Sequence, residues 1–236
     1  MRESAVVRID SFDGDSFDAY CALPAGRDSA PGIVVVQEIR GVNEDICGIC
    51  DRFARQGYLA IAPDMLWRQE RNAVFDPDTP AGWDKAMALN AGFDEDKAVR
   101  DIGSAADWLR TRPQCSGRVA VIGYCLGGKL AFLSAARTSA DAAVAYYGIG
   151  IETALEEITA DFAPTMLHVA ELDRFVPPEA QAALAGQARR TPSLTTHVYV
   201  GAHHGFARSG GLHFHEAASV AAQARTEEFL QRQLRG

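Results

Sequence analysis

Six short apolar runs recur along this chain, each separated from the next by a stretch that includes a helix-length segment: Ile33–Val36, Tyr58–Ala62, Arg118–Ile122, Ala142–Tyr147, Thr165–Val169 and Thr195–Val200. Successive side chains of a strand point to opposite sides. An unbroken apolar run therefore suits a strand buried on both faces. Strands alternating with helices imply an α/β fold, a mostly parallel sheet with helices on both faces and right-handed crossovers. The helices are expected at Asn43–Gln56, closed by Gly57, then at Pro80–Ala91, Asp94–Thr111, Cys125–Arg137 and Pro178–Ala188. A last helix runs from about Phe214 to Leu234, with Ala217, Val220, Ala221 and Ala224 on one face. Ala5–Ile9 and Phe17–Leu23 read as an antiparallel hairpin around Asp13-Gly14. The polar stretch Trp67–Thr79 has little periodicity and reads as an excursion near a site or at the surface. Neither a repeat nor a low-complexity linker divides the chain, so residues 1–236 are expected to form a single domain. At this length a core is sustainable without disulfides.

Composition narrows the partners. The net charge is −8 and no Lys or Arg run stands out, so a nucleic-acid partner is not expected. A small anionic substrate remains compatible, since one or two local arginines suffice to bind it. The five cysteines, Cys21, Cys47, Cys50, Cys115 and Cys125, are odd in number, which argues against a disulfide framework and for a reducing cytoplasm. Cys47-x-x-Cys50 lacks a second pair or a nearby histidine, so two small helix-facing residues are the preferred reading over a metal or redox site. The N-terminus lacks an apolar core of signal-peptide length, and no apolar run is long enough to span a bilayer. A membrane partner is not expected.

Gly123-Tyr124-Cys125-Leu126-Gly127-Gly128 lies between an expected strand and an expected helix. That is the context of a nucleophile elbow, in which small neighbours allow a sharp turn and the central side chain projects from the carboxyl end of the sheet. A thiol at Cys125 would be activated by the helix N-terminus and by a neighbouring base. The backbone N–H of Leu126 would point at a developing oxyanion, with a second donor from the loop after Ile33–Val36, at Ile39.

In such a fold the acid and then the histidine follow the nucleophile along the chain. Thr165–Val169 leads into Glu171 and Asp173, and Asp173 is preferred because it lies further past the strand end. Thr195–Val200 leads into His203 and His204, which side-chain chemistry alone does not separate. His168 and His197 lie inside expected strands and read as packed histidines. His213 and His215 have His-x-His spacing without an obvious carboxylate or cysteine partner, so no metal site is assigned.

These runs together resemble the dienelactone hydrolase (carboxymethylenebutenolidase) family of α/β-hydrolases. The likeness is carried by Gln37-Glu38-Ile39 with Gly41-Val42-Asn43, the Gly123–Gly128 run, Tyr146-Tyr147-Gly148, Asp173 with Phe175-Val176-Pro177, and His204 with Phe206-Ala207-Arg208. It implies an enzyme of aromatic degradation that opens a dienelactone to maleylacetate through an acyl-thioester, with no cofactor. It maps the triad onto Cys125, Asp173 and His204, so that the register on Phe206-Ala207-Arg208 selects His204 over His203. It maps the oxyanion donors onto Ile39 and Leu126, a control of thiol ionisation onto Glu38, and substrate contacts onto Tyr147 and Arg208. A monomer is the expected state.

The chain also departs from the family pattern. Where a second substrate-binding arginine is expected, counting from Asp76-Pro77 gives Trp83. Arg40 stands where an aromatic residue is usual, and Gly205 replaces a small hydroxyl residue. Arg40 is a candidate for the missing cation. Trp83 is a candidate for reshaping the pocket toward a larger, less charged ester, or is a packed helix residue. Two other classes share parts of the pattern. Glutamine amidotransferases use a similar cysteine elbow but carry a late His-x-Glu, which His204-Gly205-Phe206 does not match. A non-catalytic ligand-binding relative would have no need of the Cys–Asp–His set.

Overall fold

The computed structural model describes residues 4–26 and 29–235 in two compact units, residues 1–119 and 120–236. The first unit contains β1 (Ser4–Asp10), β2 (Ser16–Ala22), β3 (Ala30–Val36) and β4 (Leu59–Pro63). Their order is β1-β2-β4-β3. β1 pairs with β2 as the antiparallel hairpin read from Asp13-Gly14, β2 pairs with β4 antiparallel, and β3 with β4 parallel. Every residue of β3 and β4 is buried. Alternating side chains demand cover on both faces, and α1 (Glu44–Arg55) and α3 (Glu95–Arg110) pack against these strands. The Asn43 side chain accepts the Ile46 N–H and starts α1, and Gly57 follows its end at φ 83°. Pro80 opens α2 (Pro80–Ala91).

The stretch after β4 is anchored by buried carboxylates. Asp64 accepts the N–H groups of Leu66 (3.0 Å) and Asn72 (2.6 Å). Asp101, fully buried on α3, accepts from Ser11 Oγ (2.6 Å), Trp67 Nε1 (3.0 Å) and the Arg68 guanidinium (3.0 Å). The polar sequence there has a structural cause, since the carboxylates need these donors to remain buried.

The second unit carries the end of β5 (Cys115–Tyr124), then β6 (Ala142–Tyr146), β7 (Thr165–Ala170) and β8 (Leu194–Tyr199), adjacent in that order and parallel. β5 begins before its apolar run because its first residues are solvent-facing. α4 (Leu126–Arg137) and α6 (Glu216–Arg235) pack on the fully buried β6, and α5 (Pro178–Ala188) packs on β8. A short 3-10 helix at Ile151–Glu157 had no periodic signal in the sequence. No helix among the described residues is long and apolar enough to cross a membrane. The strand–helix alternation is that of an α/β-hydrolase fold.

Candidate active site

Cys125 stands between the last residue of β5 and the first of α4, with φ 55° and ψ −116°. A non-glycine residue rarely takes positive φ, and the turn is held open by tight packing of its neighbours. A Cβ at Gly123 would lie 1.7 Å from the Gly127 carbonyl oxygen, and one at Gly128 would lie 2.7 Å from Gly148 Cα. Strand and helix approach this closely only because both positions lack side chains. The Cys125 N–H donates to the Tyr146 carbonyl (3.0 Å), which ties the turn to the end of β6. The side chain makes no cap to its own helix. Leu126 is the first residue of α4, where backbone N–H groups have no partner within the helix.

The candidate acid and base, Asp173 and His204, follow the ends of β7 and β8. The imidazole of His204 donates through Nδ1 to Asp173 Oδ2 at 2.8 Å. The other Asp173 oxygen accepts the Phe175 N–H at 2.9 Å, and the carboxylate is buried. Both acceptor oxygens are therefore used, which fixes the carboxylate and, through it, the histidine tautomer. Nδ1 is engaged by Asp173, which leaves Nε2 as the other ring nitrogen, and Cys125 is near enough to act on the imidazole electrostatically. Burial by itself would pull the His204 pKa down; the Cys125 charge and the Asp173 hydrogen bond overcome it and hold the pKa at about 10. The imidazole is thus held toward its charged form.

Two aromatic rings confine the imidazole edge-to-face, Phe175 at 4.9 Å and Tyr147 at 5.0 Å between centroids. Tyr147 itself sits at φ 39°, with its N–H donated to the His168 carbonyl at 2.8 Å. His168 is buried between Tyr199 Oη (2.8 Å) and Thr226 Oγ1 (2.9 Å), and Thr226 also bonds Tyr146 Oη at 2.7 Å. Burial, with His197 and Arg225 nearby, keeps the His168 pKa well below the ordinary value. His168 is thus the packed histidine expected inside β7, and it supports the strand ends that carry the site.

The remaining alternatives separate by geometry. Glu171 accepts the Gly201 N–H at 2.8 Å, so Asp173 is the carboxylate brought to the histidine. The exposed His203 packs its ring against His213 (5.2 Å), while His215 Nδ1 accepts the Ala218 N–H at the start of α6. Cys50 is fully buried on α1 and Cys47 half-buried, and burial raises both thiols.

Glu38, Ile39, Arg40 and Trp83 lie in the first unit. Glu38 is buried, with its Oε2 3.7 Å from Arg40 Nε. Ile39 packs against Leu66, Ala73 and Leu89. Arg40 also pairs with Asp76 (2.6 Å) and with Asp78. The expectation that it supplies a substrate cation therefore meets a guanidinium already shared among three carboxylates. Trp83 is 41% exposed on α2, one turn from the equally exposed Met87, and is not a packed helix residue. Phe175 and the His168 network were not singled out from sequence for the site. Only the position of Phe175 two residues after Asp173 hinted at its role.

Comparison with known proteins follows the same lines. The family model for the dienelactone hydrolase family matches residues 17–234. Carboxymethylenebutenolidase 1 of Cupriavidus pinatubonensis is 40% identical over 225 residues, 95% of each chain. Carboxymethylenebutenolidase of Pseudomonas putida is 36% identical over 224 residues, 95% of this chain and 94% of that one. A Klebsiella pneumoniae crystal structure assigned as a dienelactone hydrolase superposes with a TM-score of 0.83 at 26% identity, covering 97% of this chain and 98% of that one. This chain belongs to the dienelactone hydrolase family and is a hydrolase acting on the ester bond of a small-molecule ester or lactone.

Proposed function

We propose that the protein opens a dienelactone, carboxymethylenebutenolide, to maleylacetate through an acyl-thioester on Cys125. The observation that carries this reading is the His204–Asp173 hydrogen bond at 2.8 Å, with Cys125 acting on the same imidazole from a strained strand–helix turn. The Cys125 thiolate attacks the lactone carbonyl, and the tetrahedral oxyanion is met by the backbone N–H of Leu126 at the start of α4. The ring C–O bond breaks, its electron pair leaves on the enolate oxygen, and His204 donates a proton there. Acylation removes the thiolate charge that raised the His204 pKa, so the imidazole becomes a base competent to take a proton from water. Water attacks the thioester, the thiolate leaves, and the product carboxylate is released. Asp173 holds the imidazole throughout.

An enol-lactone suits a thiol nucleophile. A thiolate leaves a tetrahedral intermediate more readily than an alkoxide does, so attack on an ordinary ester tends to reverse, whereas a stabilised enolate competes. Arg208 binds the substrate carboxylate and Tyr147 lines its site beside His204. Arg40 holds the loop bearing Asp76 and Asp78 rather than the substrate. A second reading, another small lactone or activated ester, is favoured by the half-exposed indole of Trp83 where an arginine is usual.

Steady-state kcat/KM on cis- and trans-dienelactone, against neutral aryl esters, tests the substrate. A clear preference for the dienelactones is expected, and equal or better turnover of neutral aryl esters selects the second reading. Cys125→Ala should abolish turnover. His204→Gln should accumulate an acyl-enzyme whose added mass equals that of the lactone. Turnover at the wild-type rate by Cys125→Ala would sink the mechanism.

A further inference from the structure

Tyr124, Tyr146, His168 and His197 are register partners on β5, β6, β7 and β8. Their rings form a row across the sheet, with successive centroids 4.7, 4.4 and 6.0 Å apart. The row begins one residue before Cys125, at positions where a parallel sheet covered on both faces ordinarily takes aliphatic side chains. His168 is 1% exposed and Thr226 of α6 is 2% exposed, so their polar atoms need partners inside the protein. They have them. His168 Nδ1 meets Tyr199 Oη, His168 Nε2 meets Thr226 Oγ1, and Thr226 Oγ1 also meets Tyr146 Oη. Each strand end that joins this network also touches a reactive group. The Tyr146 carbonyl accepts the Cys125 N–H. The His168 carbonyl accepts the Tyr147 N–H, and the Tyr147 ring packs on the His204 imidazole. The Tyr199 ring packs on Phe206, two residues after His204, at 4.9 Å.

We infer that His168 is a positioning residue: as the Nε2–H tautomer bridging Tyr199 and Thr226, it sets the spacing between the Cys125 turn and the His204 loop. This rests on the reading of Cys125 as nucleophile and His204 as its base. The direction of the bonds follows from the charges around the ring. Burial, then His197 and Arg225, keep His168 uncharged at neutral pH, so one ring nitrogen donates and the other accepts. The Arg225 guanidinium lies over the Tyr199 ring, with Cζ 5.3 Å from its centroid. A neighbouring cation makes a phenol a stronger donor and a weaker acceptor. Tyr199 O–H therefore donates to Nδ1, Nε2–H donates to Thr226, and the Thr226 hydroxyl donates to Tyr146. An aliphatic row would fill the same space at less desolvation cost, but hydrogen bonds fix direction as well as distance between strand ends.

The test compares wild type, Thr226→Val, Thr226→Ser, His168→Phe, the double variant Thr226→Val/His168→Phe and Cys125→Ala, each well below its thermal midpoint. It reads kcat and KM on a dienelactone, and the pH titration of the Cys125 thiolate by ultraviolet absorbance against Cys125→Ala. Thr226→Val and His168→Phe should each lower kcat by about three- to tenfold with KM nearly unchanged, and should move the thiolate titration to higher pH. Thr226→Ser, which keeps the hydroxyl, should restore both. The double variant should lose no more than the worse single one, because both substitutions break one network. Nitrogen NMR of the wild-type ring should find the proton on Nε2, a measurement that stands even where His168→Phe does not fold. A lowered thermal midpoint with unchanged kcat and thiolate titration, losses that add, or a proton on Nδ1 would overturn the inference. If Cys125→Ala is inactive in that case, the nucleophile reading stands without it. If Cys125→Ala turns over at the wild-type rate, that reading fails and the inference with it.

Discussion

Gly123→Ala puts the elbow itself under test. The added Cβ would lie 1.7 Å from the Gly127 carbonyl oxygen, 2.2 Å from its carbon and 2.9 Å from the Gly128 nitrogen, all backbone. Real Cβ atoms essentially never approach closer than 3.0 Å, so the end of β5 and the start of α4 must separate by about 1.3 Å. Overpacking on that scale costs about 3 kcal/mol, which for a chain of this length lowers the thermal midpoint by roughly 6–12 °C. The same shift carries Cys125 away from the imidazole and Leu126 away from the oxyanion. Misplacement by about 1 Å costs on the order of 10²-fold in rate. The assay is kcat/KM on a dienelactone together with thermal unfolding. Gly48→Ala is the control, because that glycine is exposed on α1 with nothing near its Cβ. It should be neutral or stabilise the protein by about 0.5–1 kcal/mol. A Gly123→Ala enzyme with wild-type kcat/KM and midpoint would refute the close-approach reasoning.

Other outcomes follow from the same geometry. Asp173→Asn should leave the fold intact and lower kcat by about 10²–10⁴-fold, because the amide no longer enforces the imidazole tautomer that points Nε2 at the thiol; single-turnover kinetics will read it. The His204 pKa is raised above that of an unfolded histidine, so its contribution to stability is complete below about pH 6.5 and is lost as pH rises toward about 10. NMR titration of the ring should find imidazolium persisting well above pH 7 in wild type and giving way at lower pH in Cys125→Ala. An unchanged titration in that variant means the thiol does not supply the charge. Thr226→Val should cost roughly 2–3 kcal/mol, since it leaves Tyr146 Oη and His168 Nε2 without the hydroxyl they share. Thermal denaturation will show it, with kcat reduced far less than by Asp173→Asn.

The pattern of elements was legible because burial imposes local rules. β3, β4 and β6 are apolar throughout and buried throughout, and Asn43, Gly57 and Pro80 mark helix ends by their own backbone chemistry. The Cys125 turn was legible for the same reason, since a strand and a helix in close contact need small residues at fixed spacing. Where the apolar pattern failed, as at the solvent-facing start of β5 and the short 3-10 helix at Ile151–Glu157, the backbone is held by hydrogen bonds that no periodicity records.

By itself the sequence determined the strand–helix alternation, a candidate nucleophile position and two short loops holding the acid and base candidates. Chemistry left His203 against His204 open and gave only a positional preference for Asp173 over Glu171, because neighbouring residues of one type carry nearly the same local information. Only the tertiary structure decided which carboxylate meets which imidazole, that Tyr147 and Phe175 confine it, and that Arg40 is already paired. Each of these is a contact whose geometry the turn conformation and chain packing set, and neither residue type nor spacing encodes it directly.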